Sequence, residues 1–203
     1  MSPRPRKVSD EAIFAAAQRI MGNLGPAQWT LADIAREAGV TPSAVVQRFG
    51  SKRDLLLAMM SGMEDMPRAM FAQLRTQHKS PLRVLRGYAD CVAQMGDTPG
   101  TLAHHLSYLQ LDIADPDFNQ HMRMQSRATR AELRTLLNDA VELQELKPDT
   151  DTAALARAVE VTLTGSLFTW AFNQDGTAAQ WIRHDLQKLL QPHLKAKPRK
   201  TAR

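Results

Sequence analysis

The stretch Thr30 to Lys52, TLADIAREAGVTPSAVVQRFGSK, decides the fold. Thr30 is placed to cap a short helix, with Asp33 three residues on to complete a capping-box-like start. Ile34, Ala35 and Ala38 form one stripe of that helix, and Gly39 ends it, because a left-handed turn position costs glycine little. Val40 reads as a buried plug. Thr41 then caps a second helix with Pro42 in its first turn, where a missing N–H does no harm. Val45 and Phe49, spaced i and i+4, face inward, which leaves Ser43, Ala44, Val46, Gln47 and Arg48 mostly outward. Two short helices joined by a glycine turn make a helix-turn-helix, a motif that sets its second helix into the major groove of DNA.

The residues Thr30, Asp33-Ile34-Ala35, Ala38-Gly39-Val40, Phe49, Ser51-Lys52 and Leu55 resemble the DNA-binding segment of the TetR family of transcriptional regulators. The resemblance runs from about Val8 to Met60; beyond it the chain matches only in length and helical character. It departs from the family pattern at two places. Val46 stands where an aromatic, often tyrosine, is usual, and Arg48 where histidine is common. The family tyrosine typically touches phosphate, so Arg48 is the candidate to take over that contact.

Charge supports a local rather than a general attraction to nucleic acid. The net charge of +5 comes from the two ends: Arg4, Arg6 and Lys7 near the start, and Lys195, Lys197, Arg199, Lys200 and Arg203 in the last nine residues. Residues 8–194 hold 18 basic and 21 acidic residues, a net of −3, and residues 8–60 balance five of each. A basic arm ahead of a helix-turn-helix can enter the adjacent minor groove. A solvated tail is the alternative for both ends. The sequence thus divides into a disordered basic arm (1–8), a helix-turn-helix DNA-binding domain (9–60), a helical effector-binding and dimerisation domain (61–194) and a disordered basic tail (195–203).

The rest of the chain is read as all-α, with about nine helices and no strand pattern. Ser9 caps the first helix, with Asp10 and Glu11 suiting its positive end. Trp29 is expected in the small core. Ser51 and Asp54 open a fourth helix, which Pro67 kinks or breaks near Met63–Met66. Further helices are expected at about Leu82–Met95, Leu102–Ile113, Pro116–Leu146, Asp151–Asn173 and Thr177–Leu190, with Pro99-Gly100 as a turn. No apolar run approaches the ~18 residues that span a bilayer, and the basic N-terminus has no apolar segment after it. The single cysteine, Cys91, excludes an internal disulfide and is consistent with a reducing cytosol.

Three sets of site residues follow. On DNA, the base-edge candidates are Thr41, Ser43 and Gln47, with Gln47 suited to a bidentate pair with adenine, while Pro42, Ala44 and Val46 share the same face. Thr30, Lys52 and Arg48 are the expected phosphate contacts, fixing register without reading sequence. A small, mostly apolar organic effector is expected between residues 82 and 173, where Tyr88, Cys91, Val92, Met95, His105, Tyr108, Met122, Gln125, Phe168, Trp170 and Phe172 are the candidate lining, although each is by composition as well suited to core. Arg123, Arg127, Arg130 and Arg134 select an anionic effector or form a solvated face. The resemblance implies a homodimer through the last two helices. Ala154, Leu155, Ala158, Val161 and Gly165 permit close helix approach there, and Trp181, Leu186, Leu189 and Leu190 offer apolar area.

Other chemistry has little support. His104, His105, His121 and Cys91 lack the spacing and the companion ligands of a metal site, and no phosphate-cradling glycine loop or hydrolase elbow occurs. No cofactor and no enzyme activity are expected. A helical protein-interaction module with DNA affinity only from its tails, and an all-α enzyme centred near His105 or Tyr108, are the competing readings, and neither accounts for the pattern from Thr30 to Lys52.

Overall fold

The computed structural model describes residues 8–61, 65–96 and 98–195. Ten α-helices occur among them: α1 (Asp10–Met21), α2 (Leu31–Ala38), α3 (Pro42–Phe49), α4 (Lys52–Ser61), α5 (Met66–Gln77), α6 (Pro81–Ala93), α7 (Pro99–Ala114), α8 (Pro116–Glu142), α9 (Thr152–Asn173) and α10 (Ala178–Leu190). Short 3₁₀ turns follow α6 and α10. Among the described residues the one extended pairing is an isolated bridge between Leu146 and Leu194. No described helix is long and apolar enough to cross a membrane. Of the expected arm only Val8 is described, and of the expected tail only Lys195.

The expectation of an all-α chain is met, with one helix more than about nine. The extra helix is α5. Pro67 sits in its first turn, where its missing N–H costs nothing, and the helix opens at Met66. Pro99 likewise starts α7 rather than forming a turn ahead of it. Expected ends elsewhere shift by a few residues: α8 stops at Glu142, four residues short of Leu146, where Gln144 adopts a positive φ of 58°.

The chain divides into two compact units. The first holds residues 1–64 together with 100–123; the second holds 65–99 and 124–203. The helix-turn-helix segment therefore shares its unit with α7 and the start of α8, which chain order alone assigns to the later domain. The core of this unit joins Ile13, Ala17, Trp29, Ile34, Leu55, Leu56, Met59 and Phe118, with Val8, Phe14, Leu24 and Phe49 packed against it. Phe118 enters from the first turn of α8, and the Phe14 and Phe49 rings meet with centroids 5.7 Å apart.

In the second unit, Phe71, Leu85, Leu133, Leu136, Leu137, Val159, Leu163, Ile182 and Leu186 are buried. Each contributes about 1.5–3 kcal/mol through the apolar surface it removes from water. Helices α9 and α10 are tied by a hydrogen bond from the buried Ser166 hydroxyl to Asp185 at 2.6 Å. Arg183 on α10 pairs with Asp90 on α6 at 2.7 Å. The end of the described chain is pinned to the α8–α9 connection: the Lys147 amide donates to His193 and the Lys195 amide to Glu145.

Candidate nucleic-acid interface

Local chemistry builds the reader. Ser9 caps α1, accepting from the Ala12 amide. A complete capping box opens α2: the Thr30 hydroxyl accepts from the Asp33 amide, and the Asp33 carboxylate accepts from the Thr30 amide at 2.8 Å. The Thr30 hydroxyl and amide hold the Asp33 carboxyl below the usual aspartate range. Gly39 closes α2 at φ 70°, the left-handed region where a side chain is strained. Thr41 caps α3 by accepting from the Ala44 amide at 3.2 Å, and Pro42 fills the first turn.

Burial then orients α3. Val45 is fully buried and Phe49 packs on the core, whereas Pro42, Ser43, Ala44, Val46, Gln47 and Arg48 are exposed. The Thr41 and Ser43 hydroxyls lie 3.1 Å apart at the N-terminal end of this face. The expected base-edge candidates therefore share one exposed surface. Val40, expected as a buried plug, is only half-buried.

The three expected phosphate contacts are placed differently. Arg48 turns away from the exposed face: its guanidinium pairs with the Asp10 carboxylate and donates to the Val8 carbonyl at 2.6 Å. Lys52 is half-buried, with its ammonium 3.7 Å from the centre of the Trp29 ring. It donates to the carbonyls of Pro26 and Trp29, and burial lowers its pKa. Without DNA both cations have partners within the chain, the exposed Arg48 on the start of α1 and the half-buried Lys52 on the loop before α2. A carboxylate or a backbone carbonyl lies within reach of each. Thr30 is exposed, and its hydroxyl also donates to Asp33 at 2.7 Å.

Sequence reading missed the polar links within this unit. Arg53 on α4 forms a fork on Asp115 at 2.7 and 2.8 Å and reaches Asp117 at 2.6 Å. The two carboxylates raise the Arg53 pKa, and the guanidinium lowers that of Asp115. Asp115 and Asp117 were legible only as the opening of a helix; nothing local points across 62 residues to Arg53. Trp29, buried at 2% exposure, donates its indole N–H to the Tyr108 hydroxyl at 2.7 Å.

The expected effector residues are divided between the two units. His105, Tyr108 and Met122 fall in the first unit; Tyr88, Cys91, Val92, Met95, Gln125, Phe168 and Phe172 fall in the second. The Tyr108 hydroxyl is used by Trp29 and the Leu24 carbonyl. Phe172, at 87% exposure, and Met95, at 46%, face solvent in the single chain, so neither lines an interior. For Phe172 the reason is its helix face: the buried side of α9 belongs to Leu163, Leu167 and Trp170. Tyr88 is half-buried, 4.9 Å from the Phe71 ring, and burial pushes its pKa up to about 12. Near it, Glu160 accepts from Ser126 at 2.7 Å and from Arg130 at 2.6 and 2.8 Å. Arg130 is thus a paired residue between α8 and α9. An open cleft of about 460 Å³ at the α9–α10 turn is lined by Asp175, Gly176, Gln180, Trp181, His184 and Asp185, none of them on the expected list.

Residues 13–59 match the family model described as bacterial regulatory proteins, tetR family, and residues 107–186 match that of the tetracyclin repressor-like C-terminal domain. The HTH-type transcriptional regulator BetI of Agrobacterium fabrum is 30% identical over 167 residues, covering 81% of this chain and 76% of that protein. The chain belongs to the TetR family of transcriptional regulators. Solved structures agree on the fold. A TetR transcription regulator from Haloarcula marismortui aligns at a TM-score of 0.73 with 19% identity, over 92% of this chain and 98% of that one. SmeT, the repressor of a Stenotrophomonas maltophilia multidrug efflux pump, aligns at 0.69 with 19% identity over 97% of each, and SmeT is also known in complex with triclosan. Helices α2 and α3 both lie within residues 13–59, the stretch that matches the first of these family models.

Proposed function

We propose that this TetR-family regulator is a dimeric repressor, working in the cytoplasm, that leaves a near-palindromic operator when it binds a small organic effector. The observation that carries the DNA side is the exposed face of α3, on which Pro42, Ser43, Ala44, Val46 and Gln47 stand clear of the core while Val45 anchors the helix from below. Thr41, Ser43 and Gln47 supply donors and acceptors for base edges, and Gln47 suits adenine. With Arg48 and Lys52 engaged inside the fold, phosphate contacts fall to helix ends and backbone amides, with Thr30 at the cap of α2.

The dimer reading is supported by a stripe on α9. Ala154, Val161, Gly165 and Phe172 are exposed at helical spacing, and a Cβ added at Gly165 would meet nothing within 4 Å. Leu155, Leu186 and Leu190, proposed from sequence for the same interface, instead fill the subunit's own core. The effector reading concentrates on Tyr88, Cys91, Val92, Gln125 and Phe168, which are half-buried in the second unit. That SmeT takes triclosan is in keeping with a small, mostly apolar organic effector.

Selection of bound duplexes from random DNA tests the proposal. A palindromic consensus is expected, with half-sites about 10 base pairs apart or a multiple of that. Recovery of DNA without sequence preference, lost when residues 1–7 and 196–203 are removed, would favour binding through the tails alone.

A further inference from the structure

We propose that Val46 selects a thymine in the operator through that base's 5-methyl group, an assignment that rests on reading α3 as the recognition helix. Val46 is 48% exposed, whereas its neighbour Val45 is fully buried and Phe49 packs on the core. Leaving a branched aliphatic side chain in water on the one face meant to meet DNA gives no stability to the free protein. Its place on the helix suggests what it meets. Val46 stands one turn beyond Pro42 and Ser43, at i+4 and i+3, and helical side chains lean back toward the N-terminus. Its isopropyl group therefore covers the first turn of α3, the end that contacts base edges when a helix-turn-helix docks.

The neighbouring groups sharpen the assignment. The Thr41 hydroxyl accepts from the Ala44 amide, with the Ser43 hydroxyl 3.1 Å away. Arg48 is held by Asp10 and Val8, and Lys52 by Pro26 and Trp29, so neither cation offers a charged contact beside Val46. A valine neither donates nor accepts a hydrogen bond. In the major groove the largest apolar group that any base presents is the C5 methyl of thymine. A cytosine amine or a guanine carbonyl pressed against Val46 would lose water and gain no partner. The β-branch also limits χ1, so the two methyl groups are held in place before DNA arrives.

The test uses the full chain and the duplex recovered by selection from random DNA. Each thymine is replaced in turn by deoxyuridine, which removes the methyl group and leaves base pairing intact. Wild type should lose about fourfold in affinity at one thymine in each half-site, the effect of leaving one methyl unburied. Replacing both should cost about sixteenfold, again from the burial of one methyl group per half-site. The Val46→Ala protein, which keeps the fold because the side chain is exposed, should show no loss at that position while keeping any sensitivity elsewhere. The inference is overturned if no thymine loses its methyl sensitivity on Val46→Ala. If selection returns no preferred sequence at all, the recognition-helix reading itself fails and takes this inference with it.

Discussion

The indole N–H of Trp29 donates to the hydroxyl of Tyr108 at 2.7 Å, and that hydroxyl donates in turn to the Leu24 carbonyl at 3.0 Å. The bond joins residues 79 apart in the chain and fixes α7 to the loop that precedes the helix-turn-helix. A buried indole N–H needs a partner, since an unpaired donor carries its full desolvation cost. Tyr108→Phe keeps the ring and removes the partner of two groups at once. Urea denaturation should show a loss of about 1–3 kcal/mol with an unchanged slope. A change under about 0.5 kcal/mol, the usual scatter of independent sites, would mean that water replaces the hydroxyl.

Arg48 distinguishes an internal clamp from a phosphate contact. If it touched phosphate, Arg48→Ala would lower the salt dependence of operator binding by about one counterion. Its position on Asp10 and the Val8 carbonyl gives a different expectation. The salt slope should stay unchanged, and a double-mutant cycle with Asp10→Asn should show a coupling of about 0.2–1 kcal/mol, as for a partly exposed pair. A slope reduced by about one would return Arg48 to the DNA surface.

The helix-turn-helix was legible in the sequence because its determinants are local. Thr30, Asp33, Gly39, Thr41 and Pro42 act within three or four residues, and the structure places each in the role its chemistry implies. The same holds for Pro67, which fixes where α5 begins. What was not legible depends on distance along the chain. Arg48, Lys52 and Arg53 are three cations within six residues, and composition gives all three the same phosphate-seeking character. Only the fold brings Asp10, the Pro26 and Trp29 carbonyls, and Asp115 to them. Tyr108 has the same ambiguity: an amphipathic ring suits a ligand pocket and a core hydrogen bond equally well.

Asp33 predicts a pH dependence confined to acid. The Thr30 hydroxyl and amide lower its pKa from the ordinary aspartate value of 3.8, so the folded state favours the charged carboxylate. The unfolded chain then binds more protons in this range, and stability rises with pH. The contribution is complete above about 3.8, the unfolded value, and is lost as pH falls through the lower folded value. Carbon-detected NMR titration should place Asp33 below the ordinary value, and Asp33→Asn should remove this part of the acid sensitivity. A titration at or above 3.8 would show that the capping box is open in solution.

The exposed stripe on α9 gives a test that separates assembly from folding. Val161 is 64% exposed, and the position at Gly165 one turn on is open, so a charge at Val161 costs the free subunit little. Across a two-fold axis the same residue would face its own copy or a neighbour of it, and Val161→Asp would then bury two carboxylates without partners. Sedimentation should show a monomer with an unchanged helical spectrum, and operator affinity should fall because one recognition helix alone spans too few base pairs. Leu186→Ala is the contrast. That side chain is 2% exposed inside the subunit, so it should lower stability by about 2–5 kcal/mol and act on assembly only through unfolding. A Val161→Asp protein that remains a dimer at micromolar concentration would move the interface off this face of α9.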